Sequence, residues 1–186
     1  MRPLQLLALP LLLVATACVS ARGSVYTHPN ADFSTYERIA VLPLENLSAD
    51  RFGSERVREI LAIELSAQGL FEVVEVGEVN RQLRVQQLGA ATELGEEEVK
   101  QLGQGLGVQG LMIGSVIEFR ERRSGAILAP DISLALRMID VETGLTVWSA
   151  SHSRSGAGIT ARMFGMGEES QSEAVRELVR QLIDTL

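Results

Sequence analysis

Cys18 is the only cysteine in 186 residues, and it directly follows Ala15-Thr16-Ala17 at the end of an apolar run. A lone thiol in an exported chain makes no internal disulfide. Its available chemistry is acylation. "ATAC" matches a bacterial lipobox, in which the cysteine after the cut carries lipid through a thioether, except that Ala15 stands where Leu is usual. The same "ATA" satisfies the small-x-small rule of ordinary signal peptidase, which would leave Cys18 as a free first residue. The absence of any other use for the thiol favours acylation.

Other residue types capable of chemistry do not converge. The two histidines are His28 and His152. Neither has a metal partner at helical or hairpin spacing. "SASHSRS" sets Ser151 and Ser153 beside His152, but neighbours on a strand point to opposite faces, so a serine nucleophile there does not meet its base. A hydrolase built on His152 is the alternative this motif leaves open. "GLGVQG" (Gly105 to Gly110) has the glycine spacing of a dinucleotide fingerprint. Phosphate binding needs strand, glycines, then helix, and here the order is reversed. Close packing of a helix end onto a sheet is the better reading. Glu96, Glu97 and Glu98 fan around a helix and read as a solvated face. The sequence therefore predicts no catalytic residue, no metal site and no cofactor.

The elements that position Cys18 are clear. Arg2 and the apolar "PLQLLALPLLLVATA" form a leader too short for a bilayer-spanning helix of about 20 residues. Residues 1–17 are read as a lipoprotein signal peptide and 18–36 as the lipidated N-terminus and a flexible tether. About 18 stretched residues reach roughly 60 Å. Val19, not Asp, follows the cysteine, which by similarity to known sorting patterns directs the protein to the outer membrane, facing the periplasm.

Residues 37–186 are read as one domain. An apolar content of 46% suffices for a core, built mainly of Leu, Val and Ile because aromatics are scarce. A net charge of −7 argues against nucleic acid, which requires clustered cations. The dense basic stretch, "RERR" at Arg120 to Arg123, reads as a solvated hairpin end.

"RIAVLPLEN" is a doubly buried strand. Val57, Ile60, Leu61 and Leu65 form a helical stripe, with Ser54 as N-cap and Gly69 as the left-handed stop. "LFEVVEV" reads as a strand, "GEVNRQLRVQQLG" and "TELGEEEVKQLGQGLG" as helices, and "VQGLMIGSVIEF" as a strand. Ile132, Leu134, Leu136 and Met138 alternate, "VETG" turns the chain, and "LTVWSASHS" returns. Val175, Leu178, Val179, Leu182 and Ile183 mark a closing helix. The order β-α-β-α-α-β-β-β-α predicts an α/β fold, a mixed sheet of about five strands packed against helices. The glycine-rich loop between contains Ile159, Met163, Phe164 and Met166, either folded back on the sheet or available as a partner or membrane contact.

"RIAVLPLENLS", "LFEVVEVGEVNRQL", "LGVQGLMIGSVIEF" and "ISLALRMIDVETGLTVWSAS" together resemble the CsgG-like envelope lipoproteins. This group includes curli-secretion lipoproteins, relatives of the TolB N-terminal domain, and LpoB-like activators of peptidoglycan synthases. The resemblance spans Tyr36 to about Ser153. It implies a lipid-anchored, non-enzymatic module that binds envelope proteins, either as a synthase activator or as a subunit of a secretion complex, with homo-oligomers open. Pore-forming members insert long hairpins. "RERRSGAILAP" is too short and charged for that, and "RSGAGITARMFGMGE" lacks an alternating apolar band.

Overall fold

The computed structural model describes residues 23–88, 94–124, 127–155 and 170–186. One mixed sheet contains β1 (Gly23–Thr27), β2 (Arg38–Val41), β3 (Glu45–Asn46), β4 (Glu72–Val73), β5 (Gly110–Ser124), β6 (Ile127–Asp140) and β7 (Thr146–Ser155). Its order is β1-β7-β6-β5-β2-β4, and β3 also pairs with β5. Strands β2 and β3 run parallel to β5, and β4 runs parallel to β2. The β5–β6–β7–β1 half is antiparallel. The predicted α/β class holds, with seven strands in place of about five.

Helices α1 (Gly53–Gln68) and α4 (Gln171–Ile183) cover one face; α2 (Val76–Val85) and α3 (Glu96–Leu106) cover part of the other. The apolar run in β2 is explained by this three-layer arrangement. Ile39 and Val41 enter the α1–α4 core, while Ala40 and Leu42 enter the α2–α3 core. Leu61 and Leu65 of α1 are fully buried, each stabilising by about 1.5–3 kcal/mol. Trp148 is fully buried too, and its indole Nε1–H donates to Thr185 Oγ1 over 3.1 Å, tying the end of α4 to the sheet.

Folding starts earlier than the predicted boundary at residue 37. Gly23–Thr27, inside the predicted tether, pairs antiparallel with β7 from Gly23↔His152 to Thr27↔Trp148. The sequence gives little sign of it, because all five β1 residues are exposed and show no apolar period. The strand exists because an edge of β7 offers its backbone partners.

Three further differences are local. Helix α1 begins at Gly53 with Phe52 as N-cap, so Ser54 lies inside the helix. Within "LFEVVEV" only Glu72–Val73 is strand, and Val76 already opens α2. The "VQG" strand runs on through "RERR" to Ser124. Gly69 does end α1 at φ 69°, and Gly107 ends α3 at φ 63°, a backbone region that glycine enters without a Cβ clash. The "GLGVQG" glycines serve packing. A Cβ on Gly105 would stand 2.6 Å from Gln86 Nε2, and one on Gly110 2.5 Å from Met138.

Candidate functional site

Three regions gather side chains that local chemistry or shape sets apart. The first is the far end of the β5–β6 hairpin. A bulge falls between Val116 and Glu118 of β5, leaving Ile117 unpaired with β6. The extra residue resets the alternation, so that Phe119 remains in the α1–α4 core with Val116. It also turns Arg120 and Arg122 to the opposite face, level with Asp131. Arg120 Nε donates to Asp131 Oδ2 over 3.0 Å and Arg122 Nη2 over 2.7 Å. The Asp131 side chain is 2% exposed, while both arginines are more than half exposed. Burial pushes the Asp131 carboxyl upward, but the two guanidinium groups outweigh it and hold it below the usual range. "RERR" is thus part of a buried-carboxylate clamp as well as a charged hairpin end.

The second is a cavity of about 440 Å³ beside the β6–β7 turn, lined by Tyr36, Lys100, Gln104, Gln109, Asp140 and Glu142 among others. Asp140 organises it. Its Oδ1 accepts from Thr143 N at 2.7 Å and Thr143 Oγ1 at 2.6 Å, and its Oδ2 accepts from Tyr36 Oη–H at 2.9 Å. Burial raises this carboxyl and the donors lower it further, for a net depression. The Tyr36 phenol is pushed up by burial and by the Asp140 hydrogen bond. An anion held by three donors is a poor general base near neutral pH. Lys100, the chain's only lysine, donates to Glu96 Oε1 over 2.7 Å. These groups bind one another and leave no activated nucleophile.

The third is a groove of about 460 Å³ between α1 and the β4–α2 connection, at the free edge of the sheet. Ala62, Ile63, Val73, Val74 and Val76 give it an aliphatic floor, and Glu59 and Glu75 stand at its rim. Ile63 is 63% exposed although it sits on an otherwise well-packed helix.

The residues expected to do chemistry stay apart. His152 pairs in register with Gly23 on β1 and Leu134 on β6. Ser151 lies on the opposite face and shares a hydrogen bond with Ser24 Oγ at 2.9 Å. His28 Nδ1 accepts from the Asn30 amide. No cluster able to hold a metal occurs among the described residues. Cys18, Ile159, Met163, Phe164 and Met166 lie outside the described residues.

Sequence reading missed three buried charges. Arg58 is 6% exposed; its Nε and Nη2 donate to the Val41 carbonyl at 3.0 and 2.7 Å, and its Nη1 to Asn80 Oδ1 at 2.8 Å. Glu64 receives Arg176 and Arg180, which joins α1 to α4. Asp131 is the third. Each looks like surface charge until its partner, distant in sequence, is placed.

Comparison with known proteins adds the following. The family model described as peptidoglycan-synthase activator LpoB matches residues 16–153. No curated protein matches the chain. Among solved structures, the PelC dodecamer from Paraburkholderia phytofirmans is 18% identical, with a TM-score of 0.61, covering 88% of this chain and 97% of its own. Lipoprotein GNA1162 from Neisseria meningitidis is 19% identical (TM-score 0.52), covering 69% of this chain and 93% of its own. The LpoB C-terminal domain from Escherichia coli is 18% identical (TM-score 0.50), covering 68% and 88%. At these identities the structural likeness shows a shared fold.

Proposed function

The chain belongs to the peptidoglycan-synthase activator LpoB family, and from that membership we propose that it is a non-enzymatic envelope lipoprotein that binds a peptidoglycan synthase and raises its activity. Cys18 is its acylated residue and residues 1–17 its signal peptide; the domain faces the periplasm from the outer membrane. Several acyl chains on one cysteine make attachment durable, since each buried methylene contributes about 0.8 kcal/mol.

The observation that carries the protein-binding reading is the α1–β4 groove. It is concave, aliphatic at its floor and beside a sheet edge, which suits an inserted side chain or a short strand from a partner. The placing of Ser151 on the opposite face of β7, bonded to Ser24, speaks against the hydrolase alternative built on His152. Ile159, Met163, Phe164 and Met166 are proposed as a further partner contact.

Adding the purified protein to a purified synthase from the same cells should raise the rate of glycan polymerisation. Ile63→Arg should remove most of that stimulation while leaving the circular dichroism unchanged. No binding and no stimulation by the folded, acylated protein would overturn the reading.

A second reading is a homo-oligomer. It is favoured by the near-complete coverage of a PelC chain that assembles as a dodecamer, and it accommodates a secretion-complex role. If it holds, light scattering of the detergent-solubilised protein would return a multiple of the mature chain's mass, which is below the 20.2 kDa of the full sequence once residues 1–17 are removed.

A further inference from the structure

We propose that a second copy of this chain lays its β1 against β4 and fills the α1–β4 groove, joining the two edges of the sheet head to tail. This deepens the homo-oligomer reading and rests on it. Among the described residues β1 pairs only with β7 and β4 only with β2, so both ends of the sheet keep an open row of backbone groups. Monomeric proteins blunt such edges with charge, proline or a bulge. Gly23–Thr27 has none of these: its five residues are uncharged and pair with β7 in unbroken register. All five are exposed, Val25 at 54%.

Direction, backbone and side-chain face all agree. Strand β1 is antiparallel to β7, β7 to β6 and β6 to β5, while β5, β2 and β4 are parallel, so β1 runs opposite to β4. A copy set edge to edge with its helices on the same side therefore brings β1 to β4 as an antiparallel neighbour. His28 N donates to Val147 O, and strand alternation then turns the N–H and C=O of Gly23, Val25 and Thr27 outward. Glu72 N and Val74 N donate to Glu37 O and Ile39 O, which turns those of Val73 outward. Val25 and Val73 can thus exchange both bonds as a hydrogen-bonded pair. Their side chains share a face as well. Val73 packs on the α1–α4 core, and Val25 lies level with Ala150 of that core. Val25 of one copy accordingly enters the groove of the next, beside Ala62 and Ile63.

The charges favour the same occupant. In this register Gly23 comes level with Glu75. The imidazole of His152 leans over Gly23, since a Cβ there would stand 2.7 Å from Nδ1. Strands β1 and β7 carry no carboxylate; their basic side chains are His152 and Arg154, both on the α1–α4 face. The rim of the groove presents Glu59 and Glu75. A basic edge thus meets an anionic one. Head-to-tail contacts of this kind continue from copy to copy, closing into a ring or running on as a filament. A groove so filled is closed to a synthase, so the two occupants compete.

The test uses the full mature protein in detergent. Light scattering of the wild type should return a multiple of the single-chain mass. Val25→Asp, set beside Glu59 and Glu75, should return the single chain with unchanged circular dichroism. Val25→Cys and Val73→Cys chains, mixed and mildly oxidised, should give several-fold more disulfide-linked dimer than either gives alone, since a hydrogen-bonded cross-strand pair spaces its Cα atoms about 5.5 Å apart. A single-chain mass for the wild type at every concentration would overturn the homo-oligomer reading and this interface with it. An oligomer that Val25→Asp leaves intact, or a mixture that yields no more dimer than its separate parts, would overturn the interface alone.

Discussion

Arg122 and Asp131 meet across the β5–β6 hairpin at 2.7 Å, with the carboxylate 2% and the guanidinium side chain 57% exposed. The pair joins a buried anion to a cation that water still reaches, and Arg120 supplies a second donor to the same Oδ2. The cost of losing either arginine therefore depends on whether the other remains.

Arg122→Ala alone should destabilise by about 1 kcal/mol, because Arg120 still satisfies Asp131. Arg120→Ala with Arg122→Ala should cost about 3–5 kcal/mol, more than the two single changes together, since a buried carboxylate is left unpaired. Urea unfolding of the singles and the double measures the difference. Strict additivity would contradict the shared clamp.

Acid should destabilise the fold through Asp131 and Asp140. Both carboxyls are held below their ordinary range in the folded chain, so the unfolded chain binds protons first as pH falls. Their stabilisation is complete above the unfolded value of about 3.9 and is lost as pH falls through it toward the folded values. Asp131→Asn and Asp140→Asn should each flatten the dependence of the unfolding midpoint between about pH 5 and pH 2.

Arg58 is drawn down to about 10 by burial, against a smaller upward pull from Glu55, and so remains charged at neutral pH. Arg58→Ala would strip the donors from Val41 O and Asn80 Oδ1 and should cost about 2–4 kcal/mol. Arg58→Lys, with no planar fork for the carbonyl, should recover only part of this. Thermal melts of the two variants make the comparison.

Two glycine replacements should fail for different reasons. A Cβ on Gly114 would lie 2.2 Å from the Ala135 carbonyl oxygen, a backbone atom that cannot turn aside. Gly114→Ala should cost about 3 kcal/mol through overpacking in the middle of the sheet. Gly69→Ala meets nothing within 4 Å and should cost only about 1–2 kcal/mol, the strain of its positive φ. Equal losses would argue against the close approach at Gly114.

Much of this fold is readable along the chain, because amphipathic periods are local. Val57, Leu61 and Leu65 on α1, the alternation from Ile132 to Met138, and the stripe from Val175 to Ile183 all pack as their spacing predicts. The candidate sites are less legible. The α1–β4 groove is made of residues that look ordinary one by one, and Ile63 stands out only after the stripe beside it is buried. Tyr36 and Asp140 lie 104 positions apart, and no local pattern joins them.

By itself, the sequence determined the helix faces and the mixed α/β class, because each is a pattern of periods within single segments. Tertiary structure alone decided that β1 closes the edge of β7, that the bulge at Ile117 turns Arg120 and Arg122 onto Asp131, and that only five steps separate Cys18 from the sheet. Strand pairing and register depend on which distant backbone is free to accept hydrogen bonds, and no local period encodes that choice.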